Sequence, residues 1–165
     1  MALFARRDAP SPRAALKRVE RLARASFKVE KLTENDWMFS RRPNEACLLT
    51  VWAYREPDVE KPVRAAPVDG LVWDAAWSHQ RRGLSAGALA LAKAAAGRGS
   101  VEMTPGDGFK PAELFFYDRM YSPFEFDDDV AAQFLMGCAD AIERVFKALR
   151  QDVRGLRDDG ESSTA

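Results

Sequence analysis

From Ser11 to Gly155 the hydrophobic period of the chain changes several times, and each change marks an element. Ala15, Leu16, Val19, Leu22 and Ala23 recur at three- and four-residue spacing with Lys and Arg between them, which predicts an amphipathic helix over residues 12–25. Ser11 suits its N-cap and Pro12 its first helical position. The period then shortens to two. Phe27 and Val29 alternate with Lys28 and Glu30, Thr33-Glu34-Asn35-Asp36 reads as a turn, and Trp37 to Ser40 resumes the extended pattern, so a hairpin is expected. After a second turn at Pro43-Asn44-Glu45, Cys47 to Tyr54 is rich in β-branched and aromatic residues and reads as a strand.

Pro57, Pro62 and Pro67 exclude a helix or a central strand over residues 56–69, which read as a loop or an extended edge segment. Leu71 to Ser78 admits two readings. As a strand it puts Trp73, Ala75 and Trp77 on one face; as a helix it stacks Trp73 on Trp77. Gly70 and the aromatic content favour the strand. Ser85 to Ala96 is Ala- and Leu-rich and ends at Gly97, which predicts a closely packed helix. Ser100 to Met103 and Glu113 to Arg119 read as strands on either side of a turn at Thr104 to Gly108.

The last segment has the clearest pattern. Asp127 is placed to cap a helix whose first turn holds Asp128 and Asp129, where the macrodipole favours negative charge. Val130, Phe134, Cys138, Ala141, Ile142, Val145, Leu149 and Val153 form its apolar stripe, Lys147, Arg150 and Arg154 lie toward its end, and Gly155 is the expected stop. Together these elements predict one α+β domain over residues 1–155. It has an antiparallel sheet of five or six strands, an N-terminal helix, a middle Ala-rich helix and a long C-terminal helix, in the order α-β-β-β-(β)-α-β-β-α. Residues 1–10 and 156–165 are expected to be flexible termini.

Composition adds a boundary on each side. The chain is 47% hydrophobic, with ten Phe, four Trp and three Tyr, enough to build a real core. No run reaches the roughly 18 uncharged apolar residues of a membrane helix, and the first residues lack the apolar core of a secretory signal, so a cytoplasmic location is expected. Cys47 and Cys138 both lie in apolar patterns and read as buried thiols. Two cysteines and one histidine are too few for a Cys/His zinc site, and neither a metal nor a cofactor is expected.

Charge is balanced overall but not along the chain. Residues 1–31 carry nine basic side chains against three acidic, and residues 102–165 carry seven basic against fourteen acidic. A basic arm for nucleic acid is one reading, and mutual neutralisation within the fold or a dimer is the other. The zero net charge favours neutralisation. The nucleic-acid alternative would use Arg18, Arg21, Arg41, Arg42, Arg81 and Arg82.

Catalytic signals are sparse. His79 is the one histidine, and in Ser78-His79-Gln80-Arg81-Arg82 it reads as exposed or capping rather than as part of a triad. A small enzyme would have to combine it with carboxylates. Glu125, Asp127, Asp128 and Asp129 lack a calcium-loop pattern and are explained by capping. The loops Gly97-Arg98-Gly99-Ser100 and Pro105 to Pro111 match neither phosphate-binding glycine pattern and read as tight turns.

What stands out is aromatic surplus. Trp73, Trp77, Phe115, Tyr117, Met120, Tyr121 and Phe124 exceed what one sheet face readily hides, and exposed patches of this kind mark partner sites. The expectation is a non-enzymatic binding module, dimeric, that holds a protein or peptide on an apolar sheet face. The element order over residues 12–153 also resembles the type III secretion chaperone-like fold, to which YbjN-like bacterial proteins are similar. That resemblance rests on element order. It implies a homodimer that binds a peptide or protein and catalyses nothing.

Overall fold

The computed structural model describes residues 11–33, 36–44, 47–55, 70–81, 84–107 and 109–161; for Pro43, Asn44, Cys47 and residues 151–161 only the backbone is described. Helix α1 spans Pro12–Ala23, with the Ser11 hydroxyl accepting from the Ala14 N–H at 3.2 Å. It buries Ala15, Leu16, Val19 and Ala23. Strands β1 (Lys28–Lys31), β2 (Asp36–Asn44), β3 (Cys47–Tyr54) and β4 (Gly70–Arg81) follow. Helix α2 (Ala86–Ala96) is capped by Ser85 and ends at Gly97, which takes the left-handed conformation. Strands β5 (Ser100–Thr104) and β6 (Ala112–Pro123) then lead to helix α3 (Asp128–Glu161).

The six strands form one antiparallel sheet in the order β1-β2-β3-β4-β6-β5. Successive side chains of a strand point to opposite faces. The cross-strand register therefore sorts every residue to one face or the other. Phe39 pairs with Val51, Val51 with Ala75, Trp77 with Phe116, and Phe116 with Val101. That set and its two-residue neighbours Trp37, Leu49, Ala53, Leu71, Trp73 and Leu114 are buried beneath the helices. Phe126 and Phe134 meet the Trp73 ring edge-on, at centroid distances of 5.6 and 6.1 Å. The Trp73 indole N–H is satisfied by the Ser122 hydroxyl at 2.8 Å, so a buried donor is not left orphaned.

Arginines tie α3 to the rest of the layer. Arg18 of α1 donates to Asp128 and to the Phe126 carbonyl. Arg41 of β2 reaches Met136 Sδ and Glu143, and Arg81 of β4 donates to the Leu149 carbonyl. In the other direction, Arg144 of α3 donates to the carbonyls of Ala95 and Ala96, satisfying the open C-terminal end of α2.

Several boundaries differ from the sequence reading: α1 ends at Ala23, Pro43 and Asn44 belong to β2, and Thr104 belongs to β5. Asp36 belongs to β2 rather than to the turn before it. Residues 70–81 are a strand throughout, extending the Trp segment by Gly70 at its start and by His79, Gln80 and Arg81 at its end, because every position from Gly70 to Arg81 pairs with β6. Strand β6 likewise runs on past Arg119 to Pro123. Helix α3 continues through Gly155 to Glu161. A single helical glycine costs about 1 kcal/mol relative to alanine, too little to end a helix of this length by itself. The proline-rich stretch 56–69 lies outside the described residues.

Candidate functional site: an open aromatic sheet face

All three helices lie on one side of the sheet, and no described element covers the other. On that open face β6 contributes Phe115, Tyr117, Arg119 and Tyr121, β3 contributes Leu48, Trp52 and Tyr54, and β2 contributes Met38. Leu48, Phe115, Tyr117 and Tyr121 are 43%, 39%, 41% and 44% exposed. They are large apolar or amphipathic side chains, and no described element packs over them.

A polar network sits at the centre. Asp74 faces Trp52 on one side and Arg119 on the other. Its carboxylate accepts from the hydroxyls of Tyr54 and Tyr117, each at 2.7 Å, and from Arg119 through two nitrogens at 2.6 and 3.0 Å. The Arg119 guanidinium lies 5.7 Å from the Tyr117 ring centroid and 6.0 Å from that of Tyr121, a cation–π arrangement on both sides. Burial works to raise the Asp74 pKa, but the hydrogen bonds from Arg119, Tyr117 and Tyr54 outweigh it and hold the carboxyl below its ordinary value. Tyr117 responds in the opposite sense. Desolvation, then the hydrogen bond and charge of Asp74, push its phenol up to about 12. The result is a rigid pavement of rings around a neutralised ion pair.

The structure separates the seven aromatic-surplus residues. Phe115, Tyr117 and Tyr121 lie on the open face. Trp73, Trp77 and Phe124 are buried beneath the helices, and Met120 points to the same inner side, partly buried. These four belong to the core because they have the other strand parity or, for Phe124, because the chain turns inward after β6. Asp74 and Arg119 carry no local pattern that marks them in the sequence. For Leu48, the strand parity that it shares with Trp52 and Tyr54, four and six residues on, is the signal that could have found it.

The arginines of the nucleic-acid alternative do not gather on one surface. Arg18, Arg41 and Arg81 are engaged with α3, Arg21 is exposed on α1, and Arg42 is exposed on β2. Arg82 lies outside the described residues. His79 is neither exposed nor capping. It is half-buried on the inner face, stacked on Trp77 at 5.8 Å and edge-on to Phe146 at 5.3 Å. Burial, and then the charge of Arg81, lower its pKa. Asp127 accepts from the Asp129 N–H at the start of α3, and Asp128 pairs with Arg18.

Cys138 is buried against Asp118, and burial raises its thiol to about 12. Cys47 has no described side chain. The Gly97 to Ser100 turn lines an open depression of about 430 Å³ together with Lys93 and Glu102. Its Arg98 is paired with Asp118 at 2.7 Å, so that charge is already matched.

Among the described residues, no helix is long and apolar enough to cross a membrane. Compared with protein-family models, with curated proteins and with solved structures, the chain matches none of them.

Proposed function

We propose that the chain is a cytoplasmic, non-enzymatic binding module, chaperone-like or regulatory, that holds a protein or peptide partner on its open sheet face. The observation that carries this reading is the one-sided covering of the sheet: Phe115, Tyr117, Tyr121 and Leu48 remain about two-fifths exposed around the Asp74–Arg119 pair. Tyr, Trp and Arg are the residues that dominate binding energy at protein interfaces, and here they are held in place by one another. Preorganisation of that kind lowers the entropy lost when a partner is bound.

Charge weighs against a nucleic-acid platform. Arg119 is neutralised by Asp74, and Glu30, Asp36, Glu102 and Glu113 share the open face with Lys28 and Arg42. Backbone phosphates need a cationic excess that this face lacks.

The test compares the double variant Tyr117→Ser/Tyr121→Ser with the parent for the proteins cross-linked to each in native cells. Both must give the same circular dichroism spectrum. A specific partner lost from the double variant supports the reading. A partner retained by it, or none cross-linked to the parent, would sink it. Light scattering on the parent separates a second copy from a foreign partner.

A further inference from the structure

The two neighbours of β6 differ in length. Strand β4 pairs with it along its whole run, from Ala112 to Pro123, but β5 pairs only with Glu113 to Tyr117. Beyond Ser100 the chain leaves the sheet plane toward α2. Gly99 marks the departure, with φ of +65° and Tyr117 and Asp118 packed against it. From Arg119 onward, one edge of β6 has no strand beside it among the described residues.

The direction of the backbone groups on that edge can be read off. In an antiparallel sheet, alternate residues address their N–H and C=O to alternate neighbours. The Tyr117 carbonyl accepts from the Ser100 hydroxyl at 3.3 Å, on the β5 side. The Ser122 carbonyl lies against Gly70 of β4. Odd-numbered residues therefore face the β5 lane and even-numbered residues face β4. It follows that the N–H and C=O of Arg119 and of Tyr121 point into the open lane, and no described backbone group meets them. The same two residues present their side chains on the open aromatic face.

We propose that this lane takes an extended segment of a partner protein, which adds to β6 as a strand through the main-chain groups of Arg119 and Tyr121. This rests on the binding-module reading and specifies how the partner is held. Two N–H and two C=O groups at the spacing of alternate strand residues are complementary to another extended backbone, and to no helix or nucleic acid. Side chains on one side of the added strand would then lie against Tyr121 and Arg119. The outer edges of the sheet are less suited to this. Strand β1 is four residues long and carries Lys28 and Lys31, and β5 presents Ser100, Glu102 and Thr104, the short polar edges that discourage pairing.

A second copy of this chain pairs poorly in the lane: centred on Tyr121, two β6 strands would set Arg119 opposite Pro123 of the second copy, which has no N–H to donate. Antiparallel pairing of two β6 strands about Met120 would set Arg119 opposite Tyr121 of the second copy. It would also set Pro123 opposite Tyr117 of the second copy, a place already held by that copy's Ser100. The occupant is therefore a strand with nothing alongside its far end.

The experiment uses the full chain and a random dodecapeptide library displayed on phage. In the free chain, amide exchange followed by NMR should be faster at Arg119 and Tyr121 than at Met120. With a selected peptide both amides become protected. The peptide is then resynthesised with N-methyl groups on its odd or on its even positions. One set should lose about tenfold or more in affinity and the other should bind like the parent, as expected when one to two net hydrogen bonds are removed.

Amides already protected in the free chain would overturn the proposal, as would equal binding by both methylated sets. Protection that grows with protein concentration alone would do the same, since it would mean self-pairing. A peptide insensitive to methylation but lost on Tyr117→Ser would leave the face reading standing and remove strand addition. A library that yields no binder would remove both.

Discussion

Arg119 meets Asp74 side-on across the β4–β6 ladder, its Nε 2.6 Å from one carboxylate oxygen and its Nη2 3.0 Å from the other. This two-point geometry fixes both planes at once. The hydroxyls of Tyr54 and Tyr117 then complete the carboxylate, so the rings of the open face are positioned by one part-buried acid. Replacing Asp74 by Ala should strip all three partners of their acceptor and cost about 2 kcal/mol in urea denaturation, within the range for losing charge-assisted hydrogen bonds. In Asp74→Asn the Tyr117 phenol should titrate below its value of about 12 but remain above an ordinary tyrosine, because burial is the larger cause of its shift. Ultraviolet difference titration reads this directly.

Core and face should separate in a stability assay. Trp73→Ala removes a fully buried ring, its contacts with Phe126 and Phe134, and the partner of Ser122. A loss of about 4 kcal/mol is expected. Tyr121→Ser removes a half-exposed ring from the open side and should change stability by under about 1 kcal/mol. Equal losses for the two would contradict the one-sided architecture.

His79 is the only histidine, so the stability of the chain near pH 6 reports on one group. Its pKa in the fold is lowered by burial and by Arg81. Below an unfolded value of about 6.5 the unfolded chain therefore binds more protons than the folded one. The contribution from neutral His79 is complete above that value and is lost as pH falls from it toward the lowered folded pKa. Chemical denaturation at a series of pH values should show this decline in the parent. In His79→Phe, which can still stack on Trp77 and meet Phe146, the decline should be absent over the same window.

Two glycines should respond with opposite sign. A Cβ on Gly99 would sit 2.7 Å from the Tyr117 carbonyl oxygen, and the residue has a positive φ of 65°. Gly99→Ala should destabilise by about 2 kcal/mol. Gly87 lies in the first turn of α2, where a Cβ meets nothing closer than the Ser85 hydroxyl at 3.5 Å. Gly87→Ala should stabilise by about 0.5 kcal/mol. Thermal melts of the two variants beside the parent check both signs.

Element order was legible because the hydrophobic period changes sharply at each junction. The N-caps Ser11 and Ser85 and the left-handed Gly97 are local signals that need no tertiary context. The strand at Trp73 and Trp77 was harder. Four-residue spacing satisfies a helix face and a strand face alike, and only pairing with β6 decides between them. The candidate site was half legible. Phe115, Tyr117 and Tyr121 carry the right chemistry, but in β6 both faces are rich in large apolar side chains, so parity alone does not tell inside from outside. The position of the helices does. Asp74 and Arg119 lie 45 residues apart, and no local pattern links them.

Strand β6 is at once a wall of the core and the floor of the open face. Its even positions answer to the packing beneath the helices, and its odd positions answer to whatever lies above the sheet. Substitutions can therefore remodel one set while leaving the other intact. Insertions and deletions cannot. One codon gained or lost within the strand would send Phe115 and Tyr117 inward and Leu114 and Phe116 outward, damaging folding and recognition in one step. A change of two codons would preserve the alternation and merely slide the pattern along. Length variation in this strand should thus be tolerated, if at all, in steps of two.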